Sequence, residues 1–307
     1  MIAKDDVKGR YPALEHCGYA AIIGRPNVGK STLLNIILGQ KVSITTRKPQ
    51  TTRHQILGIK TTNDAQVVYV DTPGLHRGVK RVINRYMNRA ALSVMNDVNV
   101  IVLVVDGLNW TAEDQYILEK IKPINTPVVL AINKIDKIKD REMLLPHISK
   151  ISGKAAFAAI VPVSAIKCEN IVQLESEVTR FLPGGVALFP EDQYTDRSER
   201  FIAAELIREK LMSRLSRELP YSLTVEIKKF SRQKNVLYIE AFIWVERDAQ
   251  KAIVIGKQGN LLKIVGTQAR RDMEKIFGKQ VYLQLWVKVR KGWLDDERAL
   301  RSFGYLE

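Results

Sequence analysis

The sequence has few cysteines and no long apolar run. Its 307 residues include two cysteines, Cys17 and Cys168, with no Cys-x-x-Cys pair and no Cys/His metal spacing. This argues against a disulfide framework or a zinc site and indicates a reducing compartment. No apolar run approaches the roughly 20 residues that span a bilayer, and residues 1–6 contain three charged side chains and no apolar signal core. We therefore expect a cytoplasmic protein that is still able to touch a membrane surface.

Acidic residues are scarce relative to basic ones. Asp and Glu number 33 against 48 Lys and Arg, which leaves a net charge of +15. Such a field attracts polyanions, so nucleic acid is the first partner class to consider, an anionic membrane surface the second, and an inert basic surface the third. Residues 198–307 carry 22 basic and 14 acidic side chains (net +8), and residues 1–197 carry 26 and 19 (net +7). The C-terminal part is the more densely basic one.

Short apolar runs alternate with helical patterns from Tyr19 to about Leu182. Runs that are apolar throughout and separated by helices predict an α/β domain with a mostly parallel sheet covered on both faces. A further strand at Gln55–Lys60, joined to the next run by a polar turn, predicts an antiparallel edge strand. The predicted parallel strands are Tyr19–Ile23, Gln66–Val70, Val98–Val105, Val128–Ile132 and Ala158–Val163, and two predicted helices are Ser31–Leu38 and Glu113–Ile121.

The pattern changes after Pro183-Gly184-Gly185. We predict an N-terminal extension at 1–16, the α/β domain at 17–183, a linker at 184–197 and a smaller α+β domain with a C-terminal tail at 198–307. The order predicted for the second domain is α-β-β-α-β, with an apolar, strand-like approach to a glycine-containing turn. Its predicted elements are a helix at Ser198–Leu215, strands at Ser222–Phe230 and Val236–Val245, the strand-like run Ile253–Ile255, a helix ending near Phe277 and a strand at Val281–Val289.

A G-x-x-x-x-G-K-S motif follows the first apolar strand and begins a helix. Its glycines allow backbone N–H groups to surround phosphate oxygens, and the helix N-terminus adds partial positive charge. Lys30 is predicted to reach the β- and γ-phosphates, and the Ser31 hydroxyl to ligate magnesium. The predicted phosphate-binding residues are Gly24, Arg25, Pro26, Asn27, Val28, Gly29, Lys30, Ser31 and Thr32.

A second motif, Asn133-Lys134-Ile135-Asp136, follows the strand Val128–Ile132 and selects the base. The Asp136 carboxylate can accept from N1–H and the exocyclic amine of guanine, whereas adenine would leave it unpaired. Each lost charge-assisted bond costs roughly 1.5–3 kcal/mol, so the site favours guanine over adenine strongly. Ser164-Ala165 follows the next strand, where we expect a backbone N–H to face the guanine carbonyl oxygen.

Asp71-Thr72-Pro73-Gly74 ends the strand Gln66–Val70. Asp71 is predicted to hold magnesium and the Gly74 N–H to meet the γ-phosphate. Before it runs a polar loop at 45–53 with threonines able to close onto the metal, as a γ-phosphate-sensing switch requires. We favour Thr52 over Thr51 as that metal ligand; an ordinary solvated loop is the alternative.

These four motifs resemble those of the translation-factor-related GTPases of the Ras-like P-loop superfamily. The sequence departs from the Ras pattern at Leu75, where a glutamine orients the attacking water in Ras-type switches. Intrinsic hydrolysis is therefore expected to be slow. Asn27 is a second catalytic candidate beside Lys30, Thr52 and Gly74, since relatives with asparagine there coordinate a potassium ion. A merely loop-stabilising asparagine is the equal alternative.

In the second domain, Ile255-Gly256-Lys257-Gln258-Gly259 resembles the G-x-x-G loop of a type II KH domain, which clamps about four nucleotides of single-stranded nucleic acid. Basic residues nearby are predicted to meet phosphates and to make RNA affinity salt-dependent. Phe242, Trp244 and Trp286 are predicted to be core residues rather than stacking platforms. Arg217–Tyr221 is either an interdomain contact or a helix stop at Pro220. The basic residues predicted to bind RNA are Lys228, Lys229, Lys263 and Arg270.

A GTPase domain, a short linker and a type II KH domain together resemble the Era family of bacterial GTPases. The resemblance also includes Pro49-Gln50-Thr51-Thr52-Arg53 and Arg217–Tyr221. It implies the 3′ end of 16S ribosomal RNA and the small ribosomal subunit as partners, a role in small-subunit assembly and rRNA maturation, and loose association with the inner membrane face. From the motifs we expect GTP and GDP as ligands and Mg²⁺ as cofactor, with K⁺ as a further cofactor if Asn27 coordinates it. We expect a monomer. Two alternatives are an RNA-binding scaffold gated by nucleotide with negligible turnover and a membrane-surface regulatory GTPase.

Overall fold

The computed structural model describes residues 12–75, 77 and 81–305, and these form two compact units. The first unit comprises 12–43, 54–75 with 77, and 87–196. The second comprises 44–53, 81–86 and 197–305. The predicted extension at 1–16 falls for the most part on residues 1–11, which lie outside the described ranges.

A six-stranded sheet forms the centre of the first unit. Its spatial order is β3-β4-β2-β5-β6-β7, with parallel pairing throughout except for the antiparallel pair between β3 and β4. The predicted mostly parallel sheet with one antiparallel edge strand is confirmed. Its strands are β2 (His16–Ile23), β3 (Ile56–Thr61), β4 (Ala65–Asp71), β5 (Val100–Asp106), β6 (Val128–Asn133) and β7 (Ala159–Pro162).

Apolar clusters cover both faces of this sheet. Ala20 and Ile22 of β2 pack in one cluster, and the alternate residues Ala21 and Ile23 pack in the other. Burial on both faces explains why β2, β4 and β5 are mostly apolar, without regular alternation. The helices of this part of the chain are α1 (Lys30–Leu38), α2 (Val82–Val94), α3 (Ala112–Ile121), α4 (Leu144–Ser152) and α5 (Ile171–Thr179).

The segment predicted as a linker at 184–197 is largely part of the first unit. Strands β1 (Ala13–Leu14) and β8 (Gly185–Val186) pair antiparallel. The Gln66 side chain accepts from the N–H of Leu188 at 2.7 Å and donates to the Phe189 carbonyl oxygen at 2.8 Å. The extended segment reads as a linker in sequence because its backbone partners come from residues more than 100 positions earlier.

The second unit has a three-stranded sheet in the order β11-β10-β9, in which β9 and β10 are antiparallel and β10 and β11 parallel. Its core cluster joins one face of this sheet to α6 and α8. The elements are α6 (Glu199–Arg214), β9 (Leu223–Gln233), β10 (Val236–Val245), α7 (Asp248–Ile255), α8 (Asn260–Phe277), β11 (Gln280–Val289) and α9 (Glu297–Ser302).

One element of the second unit was predicted wrongly. The run Ile253–Ile255 is the last turn of α7, not a strand, so the order is α-β-β-α-α-β. A three-residue apolar run has no periodicity that separates strand from helix. Here Gln250 caps the N-terminus of α7, because its side chain accepts from the N–H of Arg247 at 3.1 Å. Among the described residues, no helix combines the length and apolar character needed to cross a membrane.

Candidate functional site

The phosphate-binding motif forms a loop between β2 and α1. Gly29 has a φ of 102°, and a Cβ there would lie 2.3 Å from Asn133 Nδ2, so only glycine fits this position. Lys30 folds back under the loop and donates from Nζ to the carbonyl oxygens of Gly24 at 2.9 Å and Arg25 at 3.0 Å. The loop, its lysine and the N-terminus of α1 therefore form an anion-binding cradle.

Lys30 is buried, with 6% of its surface exposed. Burial lowers the pKa of its ammonium to about 8; Asp71 raises that pKa in part, and Arg25 lowers it further. A phosphate anion beside Nζ would favour the charged form. A polyanionic ligand at this loop would therefore stabilise the charged form of Lys30.

The predicted metal ligands of this unit lie together. Ser31 Oγ donates to Asp71 Oδ2 at 2.7 Å, and Asp71 is fully buried. Ser43 Oγ donates to the same carboxylate oxygen at 2.9 Å, a contact that the sequence reasoning missed. A hydroxyl and a carboxylate at the phosphate loop are the oxygen ligands that Mg²⁺ prefers, so these residues fit a magnesium ion.

The rest of the Asp71–Gly74 motif is anchored by close contacts. Thr72 Oγ1 donates to the Ile22 carbonyl oxygen at 3.0 Å. Pro73 is buried, and a Cβ on Gly74 would meet the backbone nitrogen of Pro26 at 2.8 Å. Leu75 is 1% exposed and belongs to the apolar core, so it offers no polar group to orient a water molecule.

The guanine motif holds three loops together. Asn133 Nδ2 donates to the Val28 carbonyl oxygen at 2.8 Å, while its Oδ1 accepts from the Ala165 N–H at 3.0 Å. Lys134 Nζ donates to the Asn27 carbonyl oxygen at 2.5 Å, and Asp136 Oδ1 accepts from Ser164 Oγ at 2.5 Å. The carboxylate that we predict to select the base is thus held by a neighbouring hydroxyl.

The Ser164-Ala165 pair lies beside the Asn133 motif. The Ala165 N–H donates to Asn133 Oδ1 and so helps to position the amide that links the loops. The predicted contact of this pair with the guanine carbonyl oxygen stays a prediction. Ser164 is fully buried and orients Asp136.

Two acidic residues of the site were missed. Asp106 ends β5 and accepts from Lys134 Nζ at 2.7 Å; its place at the carboxyl end of a parallel strand was a usable signal. Asp114 is fully buried and accepts from Arg25 Nε at 3.1 Å and 3.2 Å. The sequence feature that could have pointed to Asp114 is the capping box that it forms with Thr111 at the start of α3.

The predicted switch loop, 45–53, lies within segment 44–53 of the second unit. The Thr45 N–H donates to Glu209 Oε1 at 3.0 Å, and Arg208 donates to the Thr51 carbonyl oxygen. The Thr51 hydroxyl donates to the Lys48 carbonyl oxygen at 2.7 Å. Thr52 is 7% exposed, and its predicted role as the metal ligand stays a prediction.

A groove of about 410 Å³ lies between α8 and β11. The G-x-x-G turn precedes it: Gly256 has a φ of 74°, Lys257 and Gln258 are exposed, and Ile255 closes α7. Lys263 and Arg270 supply the positive charge, and leucines supply the apolar floor. The lining residues are Gly259, Leu262, Lys263, Gly266, Thr267, Arg270, Leu283 and Leu285.

Two predicted RNA-binding lysines are not near this groove. Lys228 and Lys229 lie on β9, at the opposite edge of the sheet from β11, where they pair with Glu226 and Glu240. The prediction of core positions for Phe242, Trp244 and Trp286 was wrong: Trp286 is 56% exposed, and the other two are half-buried on the face away from the helices. Both faces of β10 and β11 carry apolar residues, so periodicity could not identify the buried one.

Comparisons with known proteins match both units. Residues 19–134 match the family described as 50S ribosome-binding GTPase, and residues 218–294 match the KH domain family. The fold and its site therefore define a P-loop GTPase that carries a KH domain, and the predicted fold class is confirmed.

The full-length relatives specify the family. The chain is 58% identical to GTPase Era of Marinobacter nauticus over 94% of each chain, and 57% identical to GTPase Era of Coxiella burnetii over 95% of this chain and 99% of that one. It is similar, with a TM-score of 0.92 and 42% identity, to a point variant of Aquifex aeolicus Era bound to GDP·AlF4⁻, covering 95% of this chain and 100% of that one. Another solved structure is Era in complex with MgGDPNP and nucleotides 1506–1542 of 16S ribosomal RNA, with a TM-score of 0.92 and 42% identity over 95% and 99%. The chain belongs to the Era family of GTPases.

Proposed function

We propose that this GTPase binds the 3′ end of 16S ribosomal RNA in the groove between α8 and β11 and acts in small-subunit assembly. The observation that supports the RNA site is the groove itself: a G-x-x-G turn leads into it, Lys263 and Arg270 line it, and its floor is apolar. The Era relative whose structure contains 16S ribosomal RNA supplies the identity of the RNA.

Each residue of the nucleotide site has one task in this proposal. Lys30 neutralises charge on the β- and γ-phosphates, and Asp136 selects guanine. Ser31, Asp71 and Thr52 would hold the magnesium ion that neutralises developing charge when bound, while the Gly74 N–H contacts the γ-phosphate. Because Leu75 replaces a water-orienting glutamine and is buried, turnover without an activator is slow.

The finer assignments belong to the same proposal. Asn27 helps hold a potassium ion beside the phosphates and so adds positive charge near the site of hydrolysis. The protein works as a monomer in the cytoplasm, with peripheral contact to the inner membrane face through its basic surface. GTP and RNA affinities are coupled, and the coupling is reciprocal.

Hydrolysis measurements test this function. Phosphate release is measured in potassium and in sodium buffers, each with and without a single-stranded oligonucleotide of the 16S 3′ end. We expect faster turnover with RNA and with potassium. Identical RNA affinity in the GTP and GDP states would contradict the coupling, and failure to bind the oligonucleotide would contradict the RNA assignment.

A second candidate function is that of an RNA-binding scaffold. In this case nucleotide binding controls RNA binding, and GTP is not hydrolysed at a significant rate. The burial of Leu75 in the apolar core favours it, since no side chain at that position can position water. It predicts tight, nucleotide-sensitive RNA binding together with flat, near-zero phosphate release under every buffer and RNA condition.

A further inference from the structure

The sheet of the second unit has an open face, on the side away from α6 and α8. On β10 the residues that face the helices, such as Ile239 and Ile243, are fully buried, whereas Tyr238 and Phe242 point the other way and are half-buried. The register pairs Tyr238 with Tyr282 and Phe242 with Trp286. The open face therefore carries a block of aromatic side chains.

Two of these rings are largely exposed. Tyr282 is 51% exposed and Trp286 56%. They stand on the same face of β11, and four residues of strand separate them by about 13 Å. Together with the half-buried rings of Tyr238 and Phe242 beside them they form an apolar patch, and such contiguous patches mark interaction surfaces.

The C-terminal segment covers only one end of the open face. The Phe303 ring lies 5.9 Å from the Trp244 ring, and the Tyr305 hydroxyl is 2.9 Å from that of Thr224. Tyr282 and Trp286 remain exposed although this segment packs against the same sheet.

Lysines accompany the rings, together with the carboxylates of Glu226 and Glu240. Lys288 Nζ lies 3.8 Å from the centre of the Phe242 ring, and Lys228 Nζ lies 5.6 Å from it. Tyr238 supports Tyr282, with the ring centres 5.5 Å apart. Aromatic rings interleaved with cations are the combination that single-stranded nucleic acids use, stacking bases on the rings and placing phosphates on the cations.

The open face is continuous with the groove. A second cleft of about 740 Å³ adjoins the first through Arg270, which lines both. Tyr282, which lines this second cleft, is also a residue of the open face, and Lys279 lies beside it. A strand that leaves the groove past Arg270 therefore meets Lys279 and then Tyr282.

We propose that Tyr282 and Trp286 form a second subsite for single-stranded RNA, which stacks nucleotides beyond the four or so clamped at the G-x-x-G turn. This inference rests on the proposed RNA-binding function. It gives the predicted RNA-binding residue Lys228, which lies away from the groove, a phosphate to contact on the open face.

The test compares two probe lengths by fluorescence anisotropy on the full-length protein: a single-stranded RNA of about four nucleotides and one of about ten. We expect the double substitution Tyr282→Ala and Trp286→Ala to weaken binding of the long probe about tenfold or more, and to leave the short probe within about twofold. The more conservative Trp286→Phe retains a ring and should retain most of the long-probe affinity. Leu145→Ala, which removes an exposed apolar side chain of α4, is the matched control.

The outcomes separate the two proposals. If the wild-type protein binds neither probe, the RNA function itself fails. If it binds the short probe but the double substitution leaves the long-probe affinity unchanged, or weakens both probes equally, the second subsite is wrong and the open face serves some other partner. Lys257→Glu, in the G-x-x-G turn, should weaken binding of both the short and the long probe, and so it measures how much the groove contributes to affinity. Unchanged thermal unfolding of each variant shows that the variants are folded.

Discussion

Arg53 donates from Nη1 to the carbonyl oxygen of Leu223 at 2.8 Å, so the residue after the candidate switch threonine is tied to the first strand of the KH sheet. The guanidinium is fully enclosed, with 1% of Arg53 exposed, and also donates at 3.1 Å to the carbonyl oxygens of Pro220 and Tyr221. The alternative that Arg217–Tyr221 stops a helix at Pro220 was wrong, because α6 ends at Arg214 and Pro220 lies within a single 3-10 turn, Leu219–Tyr221. Instead, the backbone of this stretch accepts from Arg53 within the second unit.

Removing this guanidinium should destabilise the second unit. Arg53→Ala removes the donor to three carbonyl oxygens, two of them in buried bonds, which costs about 3 kcal/mol or more. Chemical denaturation followed by tryptophan fluorescence measures the loss. Arg47→Ala, on an exposed residue of the same segment, is the control and should change stability by less than about 0.5 kcal/mol. Equal effects of the two substitutions would contradict the anchoring role.

Base selection should follow Asp136. Asp136→Asn weakens GTP binding by roughly 1.5–3 kcal/mol and improves binding of xanthosine nucleotides, because the amide can donate to the added oxygen. Competition titrations with GTP and XTP measure the exchange. Asp140→Asn, an exposed neighbour, should alter neither affinity. An unchanged preference for guanine in Asp136→Asn would refute the assignment.

GTP affinity should fall as the pH rises above about 8, because burial lowers the pKa of Lys30 in the free protein to about 8. Phosphate binding favours the charged ammonium, so above that pH binding must take up a proton. Titration calorimetry at pH values from about 7 to 9, in buffers of different ionisation enthalpy, measures this uptake. The Lys30→Arg variant stays charged over this pH range. Any pH dependence that it still shows comes from ionisation of the guanine base and not from residue 30. Equal proton uptake by both proteins would contradict the prediction.

The potassium response should depend on Asn27. Its φ of 63° is a left-handed conformation, so Asn27→Gly removes the side chain without adding backbone strain. We expect Asn27→Gly to bind GTP yet lose the difference in phosphate release between potassium and sodium. Asn170→Gly is the matched control, because Asn170 is also left-handed, with a φ of 59°. Should Asn27→Gly still respond to potassium, the side chain has only a loop-stabilising role.

The nucleotide site could be predicted from sequence because its chemistry is local. Lys30, Ser31 and Asp71 each lie at or shortly after the end of a strand of a parallel sheet, and such strand ends meet at one edge. The bonds from Asn133 to Val28 and Ala165 could not be predicted, since they join loops about 100 and 30 residues apart in the chain. The same limit explains the packing of 44–53 with α6.

The second unit was less predictable for a different reason. Its strand β10 is apolar on both faces, so Phe242 looked like core although the helices cover only the alternate residues. In the run Ile253–Ile255, three β-branched residues suggested a strand, but the capping contacts of Gln250 select a helix. At Phe242 tertiary packing decides which face is buried, and at Ile253–Ile255 a helix cap overrides the β preference of the branched residues.

The side chain of Asn133 links three loops of the nucleotide site. One amide bonds from the loop after β6 to the phosphate loop and to the loop after β7. A displacement of any one of these loops therefore strains the bonds that Asn133 makes to the others. A substitution that changes base specificity must therefore leave Asn133 in place. If it moves the Asn133 side chain, it also breaks the bond to the Val28 carbonyl oxygen and so weakens phosphate binding.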